Sequence, residues 1–290
     1  MFTGCFTALV TPFRNGRVDE RALRRLIEFQ IKNGVAGVVP CGTTGESATL
    51  SYEEHNLVVD IAVSVANGRV KVIAGTGSNS TSETIMLTRH AEEAGADAAL
   101  LITPYYNKPT QAGLIAHYRS VAAETAVPII LYNVPGRTGV NLLPETVARL
   151  SEVKGIVGIK EATGNLAQVS DVIEFSRKGF EILSGDDFTT LPLLTLGGCG
   201  VISVTSNIAP RDVSDMCGYF FKANLKESRK LHFKLQRLHR AMFVETNPMP
   251  VKTALALMGM MEEEFRLPLV KMGRDNRARL KIALKGYGLI

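Results

Sequence analysis

The stretch A-G-A-D-A-A-L-L-I-T-P-Y-Y-N, residues 94–107, decides the fold. A segment with helical periodicity reaches a glycine, a short apolar run follows, and that run ends in a polar cluster. A glycine at this point favours a left-handed helix cap, and the run at 98–102 predicts a buried strand. The stretch therefore indicates a helix, a buried strand and a polar strand end, in that order.

The same pattern recurs about every 25 to 30 residues through the first three-quarters of the chain. Helix starts lie between the runs, with Asp19 as an N-cap, capping boxes at Ser51 and Ser80, and Pro144 in a first turn. The predicted strands are Gly4 to Val10, Val35 to Pro40, Val70 to Ala74, Ala98 to Ile102, Pro128 to Tyr132, Ile156 to Lys160, Glu181 to Ser184 and Gly200 to Ser203.

These strands are nearly continuous apolar segments, which indicates that both sheet faces are covered by helices. Eight such βα units predict a (β/α)₈ TIM barrel. A doubly wound open sheet is the competing fold, but it often carries a glycine-rich first turn that is absent here. From residue 224 the pattern is helical only, so we expect a catalytic barrel over 1–223 and a C-terminal helical extension over 224–290.

Composition excludes several classes of protein. The 290 residues are 46% hydrophobic and 21% charged, with four cysteines and a net charge of +5. This profile is typical of a globular protein in a reducing cytoplasm, without a disulfide framework or a signal peptide. The positive charges are dispersed and the uncharged run at 188–210 is broken by glycines and a proline, so we expect neither nucleic-acid binding nor a membrane span.

In a TIM barrel the carboxyl ends of the strands carry the active site. Lys160 ends an apolar strand there, which is where a Schiff-base lysine would lie, because desolvation favours the neutral, nucleophilic amine. A structural ion pair with Glu161 or Asp186 is the alternative. No zinc-binding, P-loop or G-x-S-x-G motif occurs, and the histidines lack ligand spacing, so we expect no metal.

Two further strand ends offer polar groups that could transfer protons or bind a carboxylate. Tyr132 could shuttle protons, or it could simply pack at the barrel rim. Thr43 and Thr44 sit between glycines whose backbone N–H groups could bind a carboxylate, although a plain tight turn would look the same. Arg137 suits a bidentate carboxylate contact, with an exposed surface guanidinium as the alternative.

Together these motifs resemble the dihydrodipicolinate synthase family within the lysine-aldolase superfamily. They are G-T-T-G-E-S at 42–47, T-P-Y-Y-N at 103–107, Y-N-V-P-G-R-T-G at 132–139, G-I-K-E-A-T-G at 158–164, S-G-D-D at 184–187 and N-P-M-P-V-K at 247–252. The resemblance covers essentially the whole chain. It implies that pyruvate forms an imine with Lys160 and that the resulting enamine attacks L-aspartate 4-semialdehyde, with no added cofactor.

The resemblance also implies roles for individual residues. Tyr132 would donate and accept protons and would connect through Thr43 to Tyr106, which reaches in from a neighbouring subunit of a homotetramer. Arg137 would bind the carboxylate of the semialdehyde. The pyruvate carboxylate would be held by Thr44 and by backbone groups near Gly185 and Ile202.

The resemblance also implies an inhibitory L-lysine site. The positions that match inhibited relatives are Ser47, Ala48, His55, Asn79, Glu83 and Tyr105, while Tyr52 stands where some of those relatives carry histidine. Two other functions remain open. One is another pyruvate-dependent lysine aldolase, such as a sialic-acid or 2-keto-3-deoxy sugar-acid lyase; the resemblance implies that the sialic-acid lyases lack an arginine at the position of Arg137. The other is a non-catalytic protein that uses its basic C-terminal tail.

Overall fold

A closed barrel of eight parallel strands forms the centre of the fold, in a computed structural model that describes all 290 residues. The strands follow chain order around the ring, and a two-stranded hairpin lies outside it. The predicted (β/α)₈ barrel is therefore confirmed. The barrel strands are Gly4–Ala8 (β1), Gly37–Val39 (β4), Lys71–Gly75 (β5), Ala98–Ile102 (β6), Ile129–Asn133 (β7), Ile156–Glu161 (β8), Glu181–Ser184 (β9) and Gly200–Ser203 (β10); the hairpin is Phe13–Arg14 (β2) and Arg17–Val18 (β3).

Helices separate most of the barrel strands and form the C-terminal part of the chain. None is long and apolar enough to cross a membrane. The helices are Glu20–Lys32 (α1), Tyr52–Ala66 (α2), Thr81–Ala94 (α3), Gln111–Glu124 (α4), Pro135–Thr138 (α5), Pro144–Ser151 (α6), Leu166–Phe175 (α7), Thr190–Leu196 (α8), Pro210–Phe221 (α9), Leu225–Met242 (α10), Met249–Leu257 (α11) and Arg274–Tyr287 (α12). Short 3₁₀ turns occupy Thr43–Gly45, Ser47–Thr49 and Thr205–Asn207.

The chain groups into two compact units. The first unit comprises 1–3 and 72–202, and the second comprises 4–71 and 203–290. In the first, β6 to β9 and their helices enclose one apolar core, where each buried leucine or isoleucine contributes roughly 1.5–3 kcal/mol. Members of that core include Leu101, Leu114, Ile129, Leu131, Leu142, Ile156 and Ile159. In the second, α10 packs on α9 and on α12, burying Leu235, Leu238 and Leu280.

The region after residue 224 contains helices only, as predicted. The helix α10 begins with Asn224 as its N-cap, whose side chain accepts from the backbone N–H of Glu227 at 3.3 Å. An asparagine in this position satisfies a backbone donor that the first turn leaves free. The division into a catalytic barrel and a separate extension at this point remains a prediction.

All eight strand predictions match the structure to within two residues at each end, and the larger differences have local causes. The strand predicted over 35–40 is only Gly37–Val39, because Pro40 has no N–H to donate and Cys41 turns the chain with a φ of 55°. The hairpin β2–β3 was not predicted. Its strands have two residues each, which is too short for an alternating pattern to appear in the sequence.

Candidate active site

Lys160 lies near the carboxyl end of β8, in register with Tyr132 of β7. Its side chain is buried, at 6% exposure, and its Nζ lies 4.1 Å from the centroid of the Tyr132 ring. No ion pair joins Lys160 to Glu161 or to Asp186. The structural ion pair considered from the sequence is therefore absent, and the amine faces an aromatic ring instead.

Glu161 follows Lys160 but points to the opposite side of the strand, since successive side chains alternate. Its carboxylate accepts from Asn133 Nδ2 at 3.1 Å and from the backbone N–H of Thr163 at 2.8 Å. Burial raises the pKa of this carboxyl, and the hydrogen bonds from Thr163, Asn133 and Gln168 oppose the rise. The carboxyl thus fixes the end of β8 from outside the ring and leaves the lysine unpaired.

Gly185 explains how the Lys160 side chain fits. A Cβ at position 185 would lie 3.0 Å from Cε and 3.1 Å from Cγ of Lys160, and 2.6 Å from Cβ of Ala162. The contact with Ala162 is too short for any Cβ and the two contacts with Lys160 are tight, so glycine at 185 leaves room for both neighbouring side chains. The Gly185 N–H donates to the Glu161 carbonyl at 2.7 Å, which ties the end of β9 to β8. Ile202, on β10, is buried.

The segment after β7 carries the other polar groups of the first unit. Arg137 is exposed on α5, a single turn whose position Thr138 fixes. The Thr138 hydroxyl is buried, accepts from Thr103 Oγ1 at 3.2 Å and lies 3.0 Å from the Val140 carbonyl. The guanidinium is therefore presented on a fixed turn at the strand end.

Tyr106 projects outward from the loop after β6. It is 90% exposed and has a φ of 72°, which is left-handed and uncommon for a residue with a side chain. The loop itself is held, because Asn107 Nδ2 donates to the Asn79 carbonyl at 2.9 Å and Asn79 Nδ2 donates to the Tyr105 carbonyl at 3.2 Å. The exposed phenol is therefore displayed by an ordered loop.

In the second unit, Thr43 and Thr44 form the 3₁₀ turn after β4. Thr44 is buried, and its Oγ1 accepts from Asn247 Nδ2 at 2.9 Å. The next carbonyl, that of Gly45, accepts from Thr11 Oγ1 at 2.7 Å. Sequence reasoning assigned no role to Asn247 or Thr11. The motif N-P-M-P-V-K at 247–252 was the one signal that could have pointed to the asparagine.

The positions suggested for lysine binding fall in two groups. Asn79, Glu83 and Tyr105 belong to the first unit, where Ser78 Oγ donates to Glu83 Oε2 at 2.6 Å. The other group belongs to the second unit, on the turn at 47–49 and on α2; it consists of Ser47, Ala48 and His55, with Tyr52 exposed beside them in the sequence. Within each unit these residues lie on adjoining segments.

Comparison with known proteins decides the family. The family model described as the dihydrodipicolinate synthetase family matches residues 1–287. The chain belongs to this family. It is 60% identical to the 4-hydroxy-tetrahydrodipicolinate synthase of Nitratidesulfovibrio vulgaris strain DP4, over 100% of this chain and 99% of the relative.

Two solved synthetase-family structures share the fold over the full chain. The chloride-inhibited dihydrodipicolinate synthase from Acinetobacter baumannii, complexed with pyruvate, has a TM-score of 0.98 and 46% identity, with complete coverage of both chains. The enzyme from Cyanidioschyzon merolae with lysine bound has a TM-score of 0.96 and 40% identity, covering 100% of this chain and 99% of that chain. This synthetase-family chain is accordingly a lyase of the class I aldolase type with 4-hydroxy-tetrahydrodipicolinate synthase activity, and the sugar-acid lyase alternative is not supported.

Proposed function

We propose that Lys160 carries the synthase reaction as a Schiff base with pyruvate. The observation that supports this is the buried Lys160 amine at a barrel strand end, beside the Tyr132 ring and without a counterion. The neutral amine attacks the keto carbon of pyruvate and water leaves, giving an imine. Loss of a methyl proton gives an enamine, whose carbon attacks the aldehyde of L-aspartate 4-semialdehyde. Attack by the substrate's amino group then closes the ring and releases the lysine and 4-hydroxy-tetrahydrodipicolinate.

The remaining site residues supply proton transfer and binding in this proposal. Tyr132 donates and accepts the protons, in a relay with Thr43 and with Tyr106 from a neighbouring subunit. Thr44 binds the pyruvate carboxylate, together with backbone groups near Gly185 and Ile202. The exposed guanidinium of Arg137, on its fixed turn, binds the carboxylate of the semialdehyde.

The enzyme works as a cytoplasmic homotetramer in this proposal. The 90% exposure of Tyr106 supports a site completed by another subunit, because a phenol used in catalysis would otherwise be open to water. The imine is the electron sink, so the reaction needs no metal or added cofactor. The pyruvate complex of the Acinetobacter baumannii relative supports pyruvate as one substrate.

L-Lysine is the proposed inhibitor, at the two groups of residues described above. The lysine-bound Cyanidioschyzon merolae relative supports this regulation. Calorimetry should therefore detect lysine binding at millimolar concentration, accompanied by a lower reaction rate. Absence of heat together with an unchanged rate would contradict inhibition.

Borohydride reduction in the presence of pyruvate tests the Schiff base. Peptide mass mapping should find a three-carbon adduct on Lys160, and Lys160→Ala should lose both the adduct and turnover. Arg137→Ala is the matched control: it should keep the adduct and lose turnover with aspartate semialdehyde, because imine formation does not use the guanidinium. An adduct on another lysine, or wild-type turnover by Lys160→Ala, would refute the proposal.

A further inference from the structure

A second buried lysine, in the second unit, has no part in the mechanism above. Lys252 of α11 has no exposed surface, and its amine forms an ion pair with Glu46, which is also buried. The Nζ atom lies 4.3 Å from the ring centroid of Phe13 and 5.1 Å from that of Phe265. Burial lowers the pKa of Lys252, and the Glu46 carboxylate opposes this. Separating the two groups would leave a buried charge without its partner, which costs free energy. The ion pair therefore holds Lys252 and Glu46 together.

Glu46 joins the two 3₁₀ turns of the Thr43–Thr49 segment. Its backbone is left-handed, with φ 54° and ψ 35°, a conformation that residues with a Cβ rarely adopt. Its N–H donates to the Thr43 carbonyl at 3.2 Å, and its carbonyl accepts from the Thr49 N–H at 3.0 Å. Because the same residue closes one turn and opens the next, a change in its backbone would move Thr43 and Thr44.

The carboxylate of Glu46 is held from the C-terminal part of the chain. Lys252 binds Oε1, and the backbone N–H of Arg266 donates to Oε2 at 3.2 Å. Asn247, which precedes α11, donates to Thr44 Oγ1 at 2.9 Å. One segment, residues 247–252, therefore contacts the threonine turn at two points, one on each side of Gly45.

We propose that Lys252 is a positioning residue for the synthase reaction: its ion pair keeps Glu46 left-handed and so sets the places of Thr43 and Thr44. This inference rests on the proposed function, in which Thr43 relays protons and Thr44 binds the pyruvate carboxylate. Lys252 itself touches neither substrate. Its effect is transmitted through the backbone of the turn.

The test is the double variant Lys252→Met with Glu46→Gln. Either single change would leave a buried charge without its partner, whereas the double variant removes both charges and keeps the side-chain volumes close. We expect a melting temperature near that of the wild type, about a tenfold lower kcat and about a fivefold higher KM for pyruvate. The KM for aspartate semialdehyde should not change, because Arg137 binds that substrate.

The matched control is Lys234→Met with Asp212→Asn, which removes an ion pair between α9 and α10 in the same unit. It should keep all three constants. Wild-type kcat and pyruvate KM in the Lys252 double variant would overturn the positioning role. So would a lower kcat with an unchanged pyruvate KM, which indicates only loss of folded enzyme. If wild-type enzyme itself formed no borohydride adduct with pyruvate, the proposed function would fail as well. Trapping on the wild-type enzyme is therefore done before the kinetic constants of the variants are compared.

Discussion

A single missing methyl group at position 185 decides whether the proposed nucleophile fits. Gly185→Ala would place its Cβ 3.0 Å from Lys160 Cε, with Ala162 on the other side. The new Cβ would also lie 2.6 Å from the Ala162 Cβ, so the chain near residues 162 and 185 must shift together with the lysine stem. We expect kcat and the rate of borohydride trapping with pyruvate to fall by about tenfold or more.

Gly218→Ala is the matched control for that change. Gly218 lies within α9, and a Cβ there would meet no atom within 4 Å. Alanine is also the better helix former, so this variant should keep full activity and a slightly higher melting temperature. Equal trapping rates in the two variants would show that residue 185 does not constrain the lysine.

At this scale the sequence predicts groups that stand at strand ends and misses groups that act from a distance. Lys160 and Tyr132 could be predicted as neighbours because each ends an apolar run in adjacent barrel strands. The pairing of Lys252 with Glu46 could not, because 206 residues separate them and neither lies in a periodic pattern that points to the other. The sequence also does not show why residue 185 is glycine, because that reason depends on where the Lys160 side chain lies.

Among the elements, α2 is held at its start by an ion pair that makes its stability depend on pH. Glu54 reciprocates the Ser51 capping box and binds the guanidinium of Arg266 through both carboxylate oxygens. The hydrogen bonds from Arg266 hold the pKa of Glu54 below its ordinary value of 4.5, against desolvation. Both side chains are partly buried, with 18% of the Arg266 and 25% of the Glu54 side-chain surface exposed, which limits screening by solvent.

Glu54→Gln should therefore lower the free energy of unfolding at neutral pH by roughly 1 kcal/mol. The folded pKa is depressed, so this contribution is present above the unfolded value and is lost as the pH falls through the folded value. The difference between wild type and variant should shrink below about pH 4. Urea denaturation at neutral pH and below about pH 4 measures the difference in unfolding free energy between wild type and variant. A difference that persists in acid would contradict the role assigned to the Glu54 carboxylate.

Glu53→Gln provides the comparison on the same helix turn. Glu53 also lies in the first turn of α2, but it forms no ion pair, and its pKa is lowered mainly by its hydrogen bond with Ser51. Glutamine at 53 should thus cost less stability than glutamine at 54. Equal losses would mean that the helix dipole, rather than Arg266, accounts for the Glu54 effect.

Local competition limits what an element's sequence reveals. Ser51 and Ser80 both head an S-x-x-E pattern, yet only Ser51 forms the predicted capping box. Ser80 does cap α3, but the Glu83 side chain accepts from Ser78 Oγ at 2.6 Å instead of reaching back to the cap. The capping-box prediction at Ser80 was therefore wrong, because a nearby hydroxyl competes for the same carboxylate.

For the whole molecule, barrel closure could be predicted because the chain repeats eight βα units and lacks the glycine-rich first turn of a doubly wound open sheet. The assembly of subunits stays a prediction that rests on the family resemblance, because the exposure of a residue in one chain does not identify the chain that covers it. The case for an assembly depends on Tyr106. This side chain is 90% exposed, yet the proposed relay requires it near the buried Lys160. In the proposed homotetramer, a tyrosine supplied by a second copy would resolve this conflict.

Mixing two inactive variants tests that arrangement. Lys160→Ala keeps its Tyr106, and Tyr106→Phe keeps its Lys160, so a hetero-oligomer would rebuild an intact site wherever the two meet. Coexpressed with different tags and purified through both, the mixture should recover between about a quarter and a half of wild-type activity. Each variant alone should remain nearly inactive. Activity no higher than the mean of the two parents would show that Tyr106 serves its own chain or has no place in the proton relay.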